Sequence, residues 1–174
     1  MRSRLVAAML CAGVLGTAGV LGTSAAAVAQ SPASDYCGAI GTGVQPDGQI
    51  ITTPETCFSS QSAVDSYLSG AAPNYGVSPD STLTVYFDGE NYTGDTLSIT
   101  YSCGSGYLDF DNFSYPGGGN WVDKVSSVET TCTYVSFYHN ADLGGAHVNI
   151  DGPKGDLSGT GLDNLSASSG IQYG

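Results

Sequence analysis

The sequence predicts an all-β fold, a two-sheet antiparallel sandwich with internal pseudo-symmetry, preceded by a small extension carrying one short helix. Three observations lead there. From Thr82 onward the chain runs in short alternating apolar and polar segments broken by Gly, Asn and Asp, the pattern of half-buried strands joined by tight turns. Inside that half one hairpin signature occurs twice, so a supersecondary unit is repeated. Ahead of it stands a leader-like N-terminus, and after the leader four cysteines remain, an even number of the kind that forms disulfides in exported chains.

The leader comes first in the chain. Arg2 and Arg4, the apolar run Leu5 to Leu21 and the small residues ending in Ala27-Val28-Ala29 have the three-part layout of a secretory signal, with cleavage expected after Ala29. Gly13, Gly16, Gly19 and Gly22 interrupt the run, which argues against a retained membrane anchor. Cys11 lies inside it and is expected to leave with residues 1–29. The mature chain then holds Lys124 and Lys154 against 16 carboxylates, a net charge of −14. So acidic a surface disfavours nucleic acid and anionic lipid as partners, which both need basic patches. It favours solubility and is open to hard cations. Cys37, Cys57, Cys103 and Cys132 allow three pairings, and none of their spacings is the CxxC of a zinc knuckle or a thioredoxin-type site.

Residues 30–81 read as a cysteine-containing extension and linker. Gln30 to Asp35 is a polar start. Gly48 to Thr53 is the one expected strand, ended by Pro54. The helix follows, with Ser59 or Ser60 as N-cap, Ala63, Val64, Tyr67 and Leu68 on one face, and Gly70 placed to stop it. Ala71 to Ser81, with Pro73, Gly76 and Pro79, reads as linker. Residues 82–174 form the sandwich. Leu83, Val85 and Phe87 alternate with Thr84 and Tyr86; Leu97, Ile99 and Tyr101 alternate with Ser98 and Thr100. Further strands are expected over Val125 to Thr131, Tyr134 to Tyr138, Ala146 to Ile150 and Gly170 to Tyr173.

The repeat is Phe87-Asp-Gly-Glu-Asn-Tyr92-Thr-Gly94, matched by Tyr138-His-Asn-Ala-Asp-Leu143-Gly-Gly145. Ring, ring or leucine, then glycine describes a hairpin folded over its own sheet, where glycine supplies a positive φ. Each copy leads to a serine pair, Ser126-Ser127 and Ser168-Ser169.

These residues resemble the βγ-crystallin Greek key, in which such a hairpin is followed by an acid or amide pair ahead of Ser-Ser. Trp121-Val122-Asp123-Lys124-Val125-Ser126-Ser127 is similar to the calcium motif of microbial members: two Asp/Asn, two residues, Ser/Thr, Ser. The whole layout resembles secreted actinobacterial members related to the Streptomyces metalloproteinase inhibitor, with a leader, a cysteine-bearing extension with a Thr-Cys-Phe-Ser helix start, and two Greek keys. The resemblance implies a two-motif Greek key sandwich and weak calcium binding. Its ligands would be Ser126 and the Lys124 carbonyl at one site and Ser168 or Ser166 at the other. Asp123, Asp163 and Asn164 would supply side-chain oxygen, with Glu90 and the His139 carbonyl at the hairpins. The chain departs from the pattern. Val122 stands where the first Asp/Asn belongs. Asp163-Asn164-Leu165-Ser166-Ala167-Ser168-Ser169 has one residue too many. Aligned on Asp163-Asn164, Ala167 replaces the hydroxyl; aligned on Ser168-Ser169, Leu165 replaces the second acid or amide. With the two motifs so placed, Cys103–Cys132 would staple the units and Cys37–Cys57 would fasten the extension.

Nothing in the chain makes a familiar catalytic site. His139 falls in a hairpin and His147 at a strand start, no Gly-x-Ser-x-Gly elbow exists, and Gly104-Ser105-Gly106 reads as a turn. The histidines lack HExxH spacing, and Asp109 with Asp111 is one acidic pair among many. Several of the rings of Tyr107, Phe110, Phe113, Tyr115 and Trp121 are expected to fill the core in preference to forming a binding face. The expectation is a secreted, monomeric, non-enzymatic protein that contacts an extracellular protease or another secreted protein. The alternative is a structural or stress-protective envelope protein without a dedicated partner.

Overall fold

The computed structural model describes residues 35–78, 82–104 and 106–172, so the leader expected over 1–29 lies outside them. Ten strands and one α-helix are seen among the described residues. The extension contributes β1 (Tyr36–Val44), β2 (Ile50–Thr52), β3 (Thr56–Phe58) and α1 (Gln61–Ala71). The first motif contributes β4 (Thr82–Gly89), β5 (Thr93–Tyr101), β6 (Gly106–Asp109) and β7 (Ser127–Thr130). The second contributes β8 (Tyr134–Tyr138), β9 (His147–Asp151) and β10 (Ser168–Gln172).

The strands form two sheets, ordered β2-β1-β5-β4-β7, with β3 also on β1, and β6-β10-β8-β9. Within each motif the pairs β4–β5, β4–β7, β8–β9 and β10–β8 are antiparallel. Each motif lends a segment to the other's sheet. β6 leaves the first motif to pair with β10, and Lys154 of the second bridges back to Val128 in β7. That exchange makes the fold a two-sheet sandwich of two Greek keys. Between the sheets lie Trp121, Tyr86, Phe110 and Phe137, all fully buried, with Leu97 and Val135 beside them. Tyr86 meets Phe110 and Phe137 edge to face at 5.1 and 6.0 Å. Its hydroxyl donates to Ser169 Oγ at 3.0 Å, which removes the cost of an unpaired buried donor.

The described residues fall in one compact unit, so the extension packs as part of the sandwich body. β1 runs parallel to β5, and Tyr107 N–H in β6 bonds Gly48 O at 3.0 Å, so the extension touches an edge of each sheet. β1 is the strand the sequence pattern hides. Gly38, Gly41 and Gly43 erase its alternation, and the structure explains two of them. A Cβ on Gly38 would stand 2.8 Å from Val64 Cγ1 of α1, and one on Gly41 would clash with the Tyr101 ring. β3 and β6 were also not expected; each is short and takes its pairing from a neighbour already in place.

Helix α1 starts after Ser60 and buries Val64 and Leu68 against Ile40, as its spacing predicts. It does not stop at Gly70. It runs through Ala71 into a 3₁₀ turn over Ala72–Tyr75, and Gly76, with φ of 75°, ends it. Only Gly76 takes the left-handed conformation that a glycine stop exploits. By lying on the outer face of the first sheet, α1 also changes β4. Tyr86 faces the inter-sheet core, while Val85 and Phe87 are buried on the other face, in a groove shared with Gln61, Asp65 and Glu129. Both disulfides form: Cys37–Cys57 joins directly opposed residues of β1 and β3, and Cys103–Cys132 links the end of β5 to the start of β8.

Candidate metal centre

The candidate site is built from two folded hairpins and the two loops that reach them. In the first hairpin Asn91 and Tyr92 take φ of 55° and 61°; in the second Asp142 and Leu143 take 53° and 57°. Positive φ at such residues costs roughly 1–2 kcal/mol each, so something must hold the turn. That something is one serine hydroxyl per motif. Ser127 Oγ donates to Gly89 O at 2.6 Å and accepts from Tyr92 N at 3.1 Å. Ser168 Oγ donates to Asn140 O at 2.7 Å and accepts from Leu143 N at 3.2 Å. The two serines do the same work, so Ser168 corresponds to Ser127.

This equivalence settles the alignment of the loops. Ser126 N bonds Phe87 O at 2.8 Å, and Ala167 N bonds Tyr138 O at 2.9 Å. Asp123 N bonds Ser166 O and Asn164 N bonds Val125 O, each at 3.0 Å, and both donors have positive φ. Asp123 therefore corresponds to Asn164, Val125 to Ser166 and Ser126 to Ala167. The serine pair of the first motif is repeated as Ala167-Ser168, with Ser169 the counterpart of Val128.

The two corners consequently differ in chemistry. At the first, Asn164 Nδ2 lies 2.8 Å from Ser126 Oγ and 3.2 Å from Asp163 Oδ1. A hydroxyl from one motif and a carboxylate–carboxamide pair from the other thus meet, although 38 residues separate Ser126 from Asn164. Turning the carboxamide over presents oxygen in place of nitrogen, giving an all-oxygen donor set suited to a hard cation. Glu90 belongs to this hairpin, and its carbonyl accepts from Thr93 Oγ1 at 2.7 Å. At the other corner Ala167 brings a methyl group where Ser126 has its hydroxyl. Asp123 is exposed there, and His139 pairs its Nδ1 with Asn140 Oδ1 at 2.9 Å. Lys124 places its ammonium 5.3 Å from the centre of the Tyr115 ring. Among the described residues no three His, Cys, Asp or Glu side chains converge, so the first corner is a mixed hydroxyl, amide and carboxylate set. Calcium takes about six to eight oxygens, and water would have to complete such a set.

Two clusters brace the hairpins, and no sequence signal announces them because their members are far apart in the chain. Tyr115 OH donates to Asp88 Oδ2 at 2.5 Å on the first hairpin, and that bond, with burial, pushes the phenol's pKa upward. Tyr107 OH donates to Asp142 Oδ1 at 3.0 Å on the second; burial first, then that bond, pushes it up to about 12. Asp109, 5 % exposed, accepts from Asp142 N at 2.9 Å and from Gln49 Nε2 at 2.9 Å, tying the extension to the second hairpin. Burial raises its pKa, against the lowering effect of the Asp142 N–H. Of the aromatic cluster, Phe110, Phe113 and Trp121 lie in the core.

No protein-family profile and no curated protein matches this chain. Solved structures do. A βγ-crystallin from an archaeon is 19% identical, covering 53% of this chain and 99% of its own, with a TM-score of 0.39. A βγ-crystallin domain from Flavobacterium johnsoniae is 24% identical over 52% of this chain and 93% of its own, with a TM-score of 0.40. A βγ-crystallin from Ciona intestinalis is 16% identical over 52% and 99%, with a TM-score of 0.40. The similarity is one of fold. The Greek key assignment itself rests on the strand order and registers described above.

Proposed function

We propose that this is an exported, non-enzymatic βγ-crystallin-like protein that binds calcium weakly at its Ser126–Asn164 corner and acts by contact with another extracellular protein. The observation that carries the cation reading is the meeting of Ser126 Oγ, Asn164 and Asp163 across the two motifs. A single such corner, short of protein oxygens, suits the about 10⁻⁴–10⁻³ M range of extracellular modules. Two disulfides, the acidic mature chain and the leader-like start support export, and among the described residues no helix is long and apolar enough to cross a membrane. An extracellular protease is the partner to test first, because protease inhibition is what the resemblance of leader, cysteine-bearing extension and double Greek key implies.

The test is calorimetric titration of the EDTA-stripped mature protein with calcium, paired with thermal melts. One weak site with a raised melting temperature is expected, and Ser126→Ala and Asn164→Ala should each abolish it. No heat and no shift up to millimolar calcium would sink the cation reading. Stoichiometric loss of activity across a panel of secreted metallo- and serine proteases tests the partner; full activity at micromolar protein removes it.

A further inference from the structure

We propose that β9 is a self-pairing edge, through which two copies of this chain associate by antiparallel β9–β9 pairing about a twofold axis at Asn149. The inference rests on the fold and does not depend on the cation or protease readings.

β9 ends the second sheet, and among the described residues it pairs only with β8. The bonds flanking that ladder fix which residues face inward. His139 N bonds Ala146 O at 2.9 Å and Gly152 N bonds Thr133 O at 3.0 Å. Hydrogen-bonded and non-bonded pairs alternate along an antiparallel ladder, so Val148 and Ile150 spend their backbone groups on β8. His147, Asn149 and Asp151 turn theirs to the open side, and no backbone partner for them is found among the described residues. The same three side chains are exposed, whereas Val148 is half-buried and Ile150 is buried.

The strand His147-Val148-Asn149-Ile150-Asp151 is complementary to its own reverse. With the axis at Asn149, His147 of each copy stands opposite Asp151 of the other, and Asn149 opposite Asn149. The outward residues then coincide with the hydrogen-bonded pairs, so every outward N–H and C=O finds a partner. Imidazole–carboxylate and amide pairs of this kind can hydrogen-bond across a register, and like charges oppose it. Neighbouring registers lose these features. An axis at Asp151 sets Asp151 against itself and brings Pro153, which has no N–H, opposite Asn149. An axis at His147 sets His147 against itself and draws in Gly145, whose φ of 79° leaves the strand conformation. A twofold arrangement needs one self-complementary patch, and this strand is one.

The first motif shows what the fold does with such an edge. β5, the second strand of that motif, has its outer side covered by β1, whereas β9, the second strand of the other motif, has no such cover among the described residues. A five-residue ribbon buries less area than a standard interface, so association is weak and reversible. The mature net charge opposes it at long range, and added salt screens that repulsion.

Sedimentation equilibrium of the mature protein, from about 10 μM to about 1 mM in low and moderate salt, tests the proposal across the affinities expected of small interfaces. A reversible monomer–dimer equilibrium is expected, tighter in moderate salt. His147→Asp, which sets Asp against Asp151 twice, should weaken it at least about tenfold, roughly the effect of two like-charge pairs. The exchanged pair, His147→Asp with Asp151→His, should restore it. All these side chains are exposed, and an unchanged monomer melting temperature separates lost pairing from lost folding. A monomer at every concentration, or a dimer that His147→Asp leaves unchanged, overturns the proposal.

Discussion

The two Greek keys of this chain share a backbone and differ in what surrounds it. Both fold their hairpins over positive φ at two non-glycine residues, both tie them with one buried serine, and both brace them with a tyrosine bonded to a carboxylate. The first is covered: β1 lies on its edge, α1 on its outer face, and Cys37–Cys57 closes the covering segment. The second has an edge strand left open among the described residues, and its loop carries the methyl of Ala167 where the first has the hydroxyl of Ser126. The hairpin geometry is therefore what the fold requires, because two independent copies keep it. Cover and the side chains of the corners differ between the copies without loss of the framework.

The comparison is broken most severely at the core. Trp121, fully buried and edge to face with Tyr115 at 5.4 Å, corresponds to Leu162 in the second motif. Trp121→Ala should cost about 3–5 kcal/mol in chemical denaturation and Leu162→Ala about 2–5 kcal/mol, so both motifs are needed for one cooperative transition. Two separate transitions would show that the motifs are independent.

Next in size is the cover. Replacing Cys37 and Cys57 together by serine should cost about 2–4 kcal/mol and should speed amide exchange in β5 and α1 before β9. Equal acceleration in β5 and β9 would contradict the asymmetry. Ser127→Ala and Ser168→Ala should each cost about 1 kcal/mol, because each removes two part-buried hydrogen bonds to the hairpin backbone. A large difference between them in urea midpoints would break the equivalence of the hairpins.

The tyrosine braces give a pH signature. Tyr107 and Tyr115 hold their protons more tightly folded than unfolded. Such groups contribute stability that is fully present below the unfolded value of about 10 and is lost as pH rises through the folded value, about 12 for Tyr107. Melting temperature should fall from about pH 10 upward, with tyrosinate absorbance appearing at unfolding. In Tyr107→Phe and Tyr115→Phe the fall should be shallower, and an unchanged profile in both would exclude the braces as its source. The smallest expected effect is a gain: if the Ser126–Asn164 corner binds calcium as proposed, Ala167→Ser should supply the matching hydroxyl and add a further weak calcium site in calorimetry.

Much of this was legible in the chain. Alternation located β4, β5, β8 and β9 to within a few residues, and the doubled ring–glycine signature located both hairpins. Those signals are local, since they depend on side-chain period and on backbone conformations that few residues accept. The glycine-rich β1 was not legible. Its small residues answer to Val64 and Tyr101, which reach it only in the folded state. Nor could the spacing of Asp163-Asn164 and Ser168-Ser169 say which serine was the counterpart of which. Hydrogen bonds from Ser127 and Ser168 to their hairpins decided that, and with it which corner keeps its hydroxyl. Sequence by itself determined the fold class, the repeat, the helix face and the acidic charge. Tertiary structure alone decided the parallel cover on β5, the tyrosine braces and the composition of each corner. Those depend on contacts between residues distant in the chain, which local patterns do not encode.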